Sequence, residues 1–268
     1  MHSFAERLLE IRSTLGPLCV GIDPSEEVLT DWGIPDTAEG ARDFGYTIIS
    51  ACEGRVGFVK PQVSFFERFG STGYFALEEV LAAAREANLL IISDAKRGDI
   101  GSTMLGYAQA WFGDDSPLRS DALTVSPYLG PTSLAETIEV ARDVQGGIFI
   151  LAATSNIEAE EIQKAKTGNQ SVAARVLRAA VELSSGDVGV VIGATQDLDK
   201  FGVASIRDQR LQIPILAPGF GFQGAKLSDI GELFGQSSDY VIPSVSRGIY
   251  QAGPSGLIRI IEDMRAEI

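Results

Sequence analysis

The stretch LLIISDAKRGDIGST (89–103) runs an unbroken apolar segment straight into a dense cluster of charge. Its apolar part, LLIISDA (89–95), lacks the polar/apolar alternation of a strand covered on one face only, and reads as a parallel strand covered on both. A helical pattern follows over 101–112. The same unit recurs in both directions along the chain. Short apolar runs lie at LCVGID (18–23), VGFVKP (56–61), DALTVS (121–126), GIFILAA (147–153), VGVVIGA (188–194), PILAPG (214–219) and SDYVIP (238–243). Helical patterns follow them around 38–52, 73–87, 131–142, 171–184, 199–208, 225–234 and 254–266. Eight βα units predict an α/β chain folded as a TIM (β/α)8 barrel rather than an open doubly wound sheet. In front of them, Ser3 and Glu6 have capping-box spacing, and Phe4, Leu8, Leu9, Ile11 and Leu15 form a helical stripe that Gly16-Pro17 ends. This is an additional N-terminal helix. The aromatic segment QVSFFERFGSTGYF (62–75) reads as an elaboration of the barrel rim. With no linker or low-complexity stretch, residues 1–268 read as one barrel domain, a size such barrels commonly reach.

Composition narrows the chemistry. The chain carries 22 Lys+Arg against 36 Asp+Glu, a formal net charge of −14, with no basic run, which argues against nucleic acid as a partner. A site can still be locally cationic and take an anionic small molecule. The only histidine is His2, and the only cysteines are Cys19 and Cys52. That pattern argues against His-ligated zinc, Ser–His–Asp triads and a disulfide framework, and both cysteines read as small core residues. The N-terminal helix holds Glu6, Arg7, Glu10 and Arg12, so it has no apolar signal-peptide core, and no run approaches the roughly 18 apolar residues a membrane span needs. The expectation is a cytoplasmic protein with no membrane contact.

In a barrel of this kind the chemistry sits at the C-terminal ends of the strands. Asp23 ends the first, Lys60 the second, and Asp94 and Lys96 the third. Asp94 and Lys96 are two apart, so on an extended segment they point to the same side, whereas Asp99 lies past Gly98 and cannot share that face by periodicity. The bland reading of such charge is a surface salt-bridge network. Its position at strand ends favours function instead. Flanking carboxylates favour the ammonium form of Lys96, which suits a proton donor or fixed cation better than an amine nucleophile. An ammonium held where negative charge develops on carbon suits carbanion chemistry.

A second signal is APGFGFQG (217–224) with SVSRG (244–248), after the seventh and eighth strands, the usual phosphate site of this barrel. Gly219, Gly221 and Gly224 would let backbone N–H groups approach an anion, Gln223 offers an amide donor, and Arg247 a planar fork matched to phosphate oxygens.

On VGIDPS (20–25), FVKPQVSFFERFG (58–70), DAKRGDIGST (94–103), TSN (154–156), PGFGFQG (218–224) and SRGIY (246–250), the sequence resembles the orotidine 5′-phosphate decarboxylase family, most closely its longer bacterial (type 2) branch. The pieces stand in family order and span most of the chain. The Asp-x-Lys-x-x-Asp core also occurs in related sugar-phosphate decarboxylases and aldolases. The resemblance implies Lys96 as proton donor to C6 of the pyrimidine, Asp94 against the substrate carboxylate, and Lys60 between Asp94 and the ribose. It implies Asp99 as the last member of a charged tetrad, reaching into a partner subunit's site in a homodimer, with Ile100 and Thr103 across the same interface. Asp23 would bind ribose hydroxyls, Ser155 the pyrimidine amide edge, and Gln223 and Arg247 the 5′-phosphate. The family usually has Pro-Gly after the Ser-Asn of the fifth loop; this chain reads TSNIEAEE (154–161), so the family pattern does not fix the conformation at Ser155.

The implied reaction converts orotidine 5′-phosphate to uridine 5′-phosphate and CO2, the last step of de novo uridylate synthesis, with no cofactor and no metal. Two alternatives stand beside it. One is a Mg2+-dependent sugar-phosphate decarboxylase or aldolase of the same barrel superfamily, which divalent-ion dependence would reveal. The other is a non-catalytic barrel that binds a nucleotide phosphate and turns nothing over.

Overall fold

The computed structural model, which describes residues 2–268, closes eight parallel strands into a barrel. They are β1 (Cys19–Ile22), β2 (Phe58–Pro61), β3 (Leu90–Arg97), β4 (Ala122–Val125), β5 (Gly147–Ala153), β6 (Val188–Ile192), β7 (Ile215–Pro218) and β8 (Val241–Val245). Each pairs with its sequence neighbours, and β1 meets β8, with Cys19 opposite Ser244, to complete the ring. The expected (β/α)8 barrel is the observed one. Among the described residues no helix is long and apolar enough to cross a membrane.

Two apolar shells follow from the pleat. Val20, Ile22, Val59, Ile91 and Leu123 point outward and pack under the helices. Cys19, Phe58, Leu90, Ile92, Ala122, Phe149, Val191, Leu216 and Ile242 fill the inside. The N-terminal helix, Phe4–Leu15, starts with the capping box read from Ser3 and Glu6. It closes the lower end of the barrel by burying Phe4 and Leu8 in that inner shell. The Phe4 ring meets Phe149 edge-on at 6.2 Å. Gly147 makes room for it: a Cβ there would lie 2.5 Å from the Phe4 ring. Polar anchors fix the helix. Arg7 pairs with Asp121, whose other oxygen accepts from Ile91 N at 2.8 Å, and Arg12 donates to the carbonyls of Val241 (2.5 Å) and Ser238 (3.0 Å).

The structure departs from the sequence expectations in four places. The last strand begins at Val241 rather than 238, because Gly235–Tyr240 winds into a 3-10 helix. The pattern over 199–208 is broken at Gly202, whose φ of 70° ends the helix Leu198–Phe201 before Ser205–Asp208 begins. A small antiparallel hairpin, Lys166–Thr167 with Gln170–Ser171, was not anticipated. The rim segment after β2 forms two helices, Ser64–Glu67 and Gly70–Glu86, joined by a turn at Arg68–Phe69.

If the N-terminal helix is the plug of the barrel, Phe4→Ala should cost about 3–5 kcal/mol, the usual cost of emptying a buried phenylalanine site. Urea unfolding measures this; a loss below about 1 kcal/mol would show that the inner shell does not depend on the plug.

Candidate active site

The inner face of the barrel changes character one pleat step above the apolar layer. Two residues beyond Phe58 stands Lys60; beyond Ile92, Asp94; beyond Ala122, Thr124; beyond Ile242, Ser244. All four line one cavity of ≈ 500 Å³ at the C-terminal mouth, floored by Leu151, Val191 and Leu216. Its far side carries Gln223 and Arg247.

The charged wall is a connected network around Asp94. Lys60 Nζ lies 3.0 Å from Asp94 Oδ2, and Lys96 Nζ lies 2.7 Å from Oδ1. The Thr124 hydroxyl donates to Oδ1 at 2.9 Å and accepts from the Lys96 N–H at 3.0 Å. The Gln62 amide, oriented to satisfy both neighbours, donates to Asp94 Oδ2 at 2.5 Å and accepts from Lys96 Nζ at 3.1 Å. Lys60 and Asp94 are only 6% and 9% exposed, whereas the Lys96 side chain is 45% exposed to the cavity. Burial alone would raise the Asp94 carboxyl, but the ammonium groups of Lys60 and Lys96 outweigh it and hold Asp94 well below the usual carboxylate range. Burial would likewise lower Lys60, yet the charges of Asp94 and Asp23 carry it above its ordinary value.

The backbone that delivers Lys96 is not an extended strand. Lys96 has φ 50°, in the left-handed region, and the β3–β4 register shifts between Ser93 and Arg97. Asp94 and Lys96 do meet, as periodicity suggested, but through this bulge rather than by simple alternation. A non-glycine residue held there stores of order 1–3 kcal/mol of strain, which surrounding contacts must offset. Arg97 supplies them on the far side. Its Nη2 donates to Glu67 Oε1 at 2.5 Å and lies 3.2 Å from the Tyr74 hydroxyl, which itself donates to Glu67 at 2.6 Å. The rim helices after β2 thus clamp the end of β3. Gly98 completes the turn against β4, where a Cβ would lie 2.5 Å from the Ser126 carbonyl oxygen.

The remaining residues divide into two groups. Asp23, Ser155, Gln223 and Arg247 line the cavity. Asp23 Oδ1 is buried with no hydrogen-bond partner. Its backbone is fixed by Tyr250, whose hydroxyl accepts from Asp23 N at 2.9 Å and donates to the Gly21 carbonyl at 2.7 Å. The loop at Ser155 is held through its neighbour. Thr154 N donates to Gln163 Oε1 at 2.9 Å, and Thr154 O accepts from Gln196 at 2.7 Å. Gly219, Gly221 and Gly224 all have positive φ (111°, 72°, 104°), so the glycines are required by the turn. The amides of Gly221 and Gly224 are spent inside that turn, on Ala225 O and Gly221 O, rather than offered to a ligand. Asp99, Ile100 and Thr103 form the second group and lie outside the cavity of the single chain. The Asp99 carboxylate accepts from Ile100 N at 2.8 Å, Ile100 is 58% exposed, and Thr103 sits exposed on the first turn of Gly101–Phe112.

Sequence reasoning missed Gln62, Thr124 and Phe222, all cavity residues. Thr124 had a readable signal, as a polar residue inside an apolar strand. Gln62 had one in its spacing of two from Lys60. Cys19 and Cys52 are buried core residues, and burial pushes the Cys19 thiol up to about 12.

Comparison with known proteins agrees over the length of the chain. The sequence profile of the Orotidine 5′-phosphate decarboxylase / HUMPS family matches residues 16–256. An orotidine 5′-phosphate decarboxylase from Corynebacterium glutamicum is 46% identical over 261 residues, covering 94% of this chain and 92% of that protein. One from Streptomyces coelicolor is 45% identical over 260 residues, covering 95% and 92%. A crystal structure of a Streptomyces avermitilis protein assigned as an orotidine 5′-phosphate decarboxylase superposes with a TM-score of 0.93 at 43% identity, over 100% of this chain and 95% of that one. With the barrel, the Lys–Asp–Lys network and these relatives in agreement, the chain belongs to the orotidine 5′-phosphate decarboxylase family.

Proposed function

We propose that this chain decarboxylates orotidine 5′-phosphate to uridine 5′-phosphate and CO2, and that residues 1–268 act as one cytoplasmic, cofactor-free catalytic domain. The observation that carries the reading is Lys96. Its ammonium faces the cavity while the buried Lys60–Asp94 pair holds it from behind. The C6–carboxylate bond breaks with its electron pair left on C6, CO2 departs, and a proton moves from Lys96 Nζ to C6. Solvent then restores the lysine. The carbanion has little resonance help, so a prepositioned cation is the main stabilising device available. Asp94 already accepts from Lys60, Lys96, Thr124 and Gln62, which supports a role in holding Lys96 more than in repelling the substrate carboxylate.

The other roles follow the chemistry of the lining. The unpartnered Asp23 oxygen suits ribose hydroxyl donors. Ser155 would meet the pyrimidine amide edge. Gln223 and Arg247, across the cavity, would hold the 5′-phosphate, a remote grip whose binding energy can be expressed in the transition state. Asp99 would enter the network of a second subunit in a homodimer, with Ile100 and Thr103 beside it. Its place outside its own cavity, bonded to the N–H of exposed Ile100, supports that arrangement.

Ultraviolet absorbance of orotidine 5′-phosphate mixed with the protein tests the activity; turnover should survive a chelator. Failure of turnover, with activity appearing on sugar phosphates plus Mg2+, would overturn the reading. Lys96→Ala should lower kcat/KM by at least about 10⁴-fold in a protein that still folds. Arg247→Ala should lower kcat/KM by roughly 10–100-fold through lost phosphate bonds. Lys96→Ala and Asp99→Ala should each be inactive alone, yet regain up to roughly a quarter of wild-type activity when mixed and allowed to exchange subunits, since half of the dimers then hold one intact site. No recovery on mixing, with exchange demonstrated, would place Asp99 outside the shared site.

A further inference from the structure

Phe222 stands at the tip of the turn after β7, and the Arg247 guanidinium lies over its ring, 4.1 Å from the centroid. Both line the cavity. Among the described residues the guanidinium forms no ion pair and donates no hydrogen bond to the protein, so the contact with Phe222 is not competing with one. Phe222 is 55% exposed, so it is not there to fill the core. The turn that presents it is closed from both sides, by Gly221 N donating to Ala225 O at 2.8 Å and Gly224 N to Gly221 O at 2.9 Å.

We infer that Phe222 is a positioning residue for the phosphate subsite, fixing the plane of Arg247 before ligand arrives. The inference rests on the assignment of Arg247 to the 5′-phosphate. A guanidinium binds phosphate through the N–H groups at the edges of a flat fork, so the direction of its plane decides whether two oxygens can be met at once. A free arginine must order a long, rotamer-rich side chain on binding. Stacking on an aromatic face settles the plane in advance and leaves every N–H at the edge unobstructed. An ion pair would also order the side chain, but it would occupy the donors the phosphate needs. Because Phe222 rides on the turn that also carries Gln223, the stack couples two phosphate ligands from the seventh and eighth strand ends into one unit.

The test measures KM and kcat for orotidine 5′-phosphate, together with binding of uridine 5′-phosphate and of uridine, in wild type, Phe222→Ala, Phe222→Trp, Arg247→Ala and the Phe222→Ala/Arg247→Ala double variant. Phe222→Ala should weaken uridine 5′-phosphate binding and raise KM by roughly 3–10-fold, while uridine binding stays as in wild type. Phe222→Trp should restore the nucleotide affinity, and Phe222→Ala should add nothing once Arg247 is gone. A loss that is equal for uridine, or that persists in the Arg247→Ala background, would overturn the inference, as would unchanged nucleotide affinity in Phe222→Ala. If Arg247→Ala itself left the difference between uridine 5′-phosphate and uridine untouched, the phosphate assignment would fall, separately from any result at Phe222.

Discussion

A carboxylate buried at the bottom of a cavity has to be compensated, and Asp94 sets the terms for everything around it. It is nearly buried, and it takes ammonium groups from two strand ends, a hydroxyl from a third and an amide from the β2 loop. Removing a partner from such a cluster leaves a buried charge exposed to an apolar interior, which is far more damaging than the net worth of the pair suggests. The cluster is therefore a poor source of stability and a good source of orientation. Lys60 is consumed by it. Lys96 is tethered at one side only, with its proton-bearing nitrogen still open to the cavity.

That tether explains the strained backbone at the end of β3. An alternating strand would carry Lys96 away along the barrel axis, beyond the Asp94 carboxylate. The left-handed turn at Lys96, with its amide bound to Thr124, folds the side chain back over Asp94. The Glu67–Tyr74–Arg97 cluster then anchors the next residue to the rim helices, so the strain is offset just outside the cavity. Below, the Phe4 and Leu8 plug and the inner apolar shell keep water from the lower barrel. Charges held against such a floor act through a medium of low polarisability, where a fixed ammonium is worth more than in water.

The barrel was legible because parallel strands buried on both faces leave unbroken apolar runs. Where that signal is absent, reading failed. The hairpin Lys166–Thr167/Gln170–Ser171 is too short and too exposed to carry a pattern. Ser238–Tyr240 sits next to an apolar run and was absorbed into it, although Arg12 needs the Ser238 carbonyl free of sheet pairing. Strand-end position was enough to place Asp23, Lys60 and Asp94 in the cavity lining. Nothing about a lysine announces a positive φ, so the bulge at Lys96 was hidden. The glycines after β7 signalled a special turn, but not that its amides bond to the turn itself while Phe222 and Gln223 are the parts presented to the cavity.

A net charge of −14 is at odds, on a simple count, with an anionic substrate. Distance resolves this. At physiological ionic strength exposed charges are screened over about 8 Å, so the acidic surface acts weakly at the mouth, while groups inside the cavity are screened far less. There the balance is local. Lys96 stands at one wall and Arg247 at the other, with Gln223 beside the second and only the saturated Asp94 and the unpartnered Asp23 as carboxylates. A ligand with an anion at each end and hydroxyls between them matches that order of charges. One with a single anionic end leaves one of the two cavity cations unanswered. On the proposed assignment the same geometry discriminates against the decarboxylated product: loss of CO2 would remove the charge facing Lys96 and leave the phosphate as the main anchor to release.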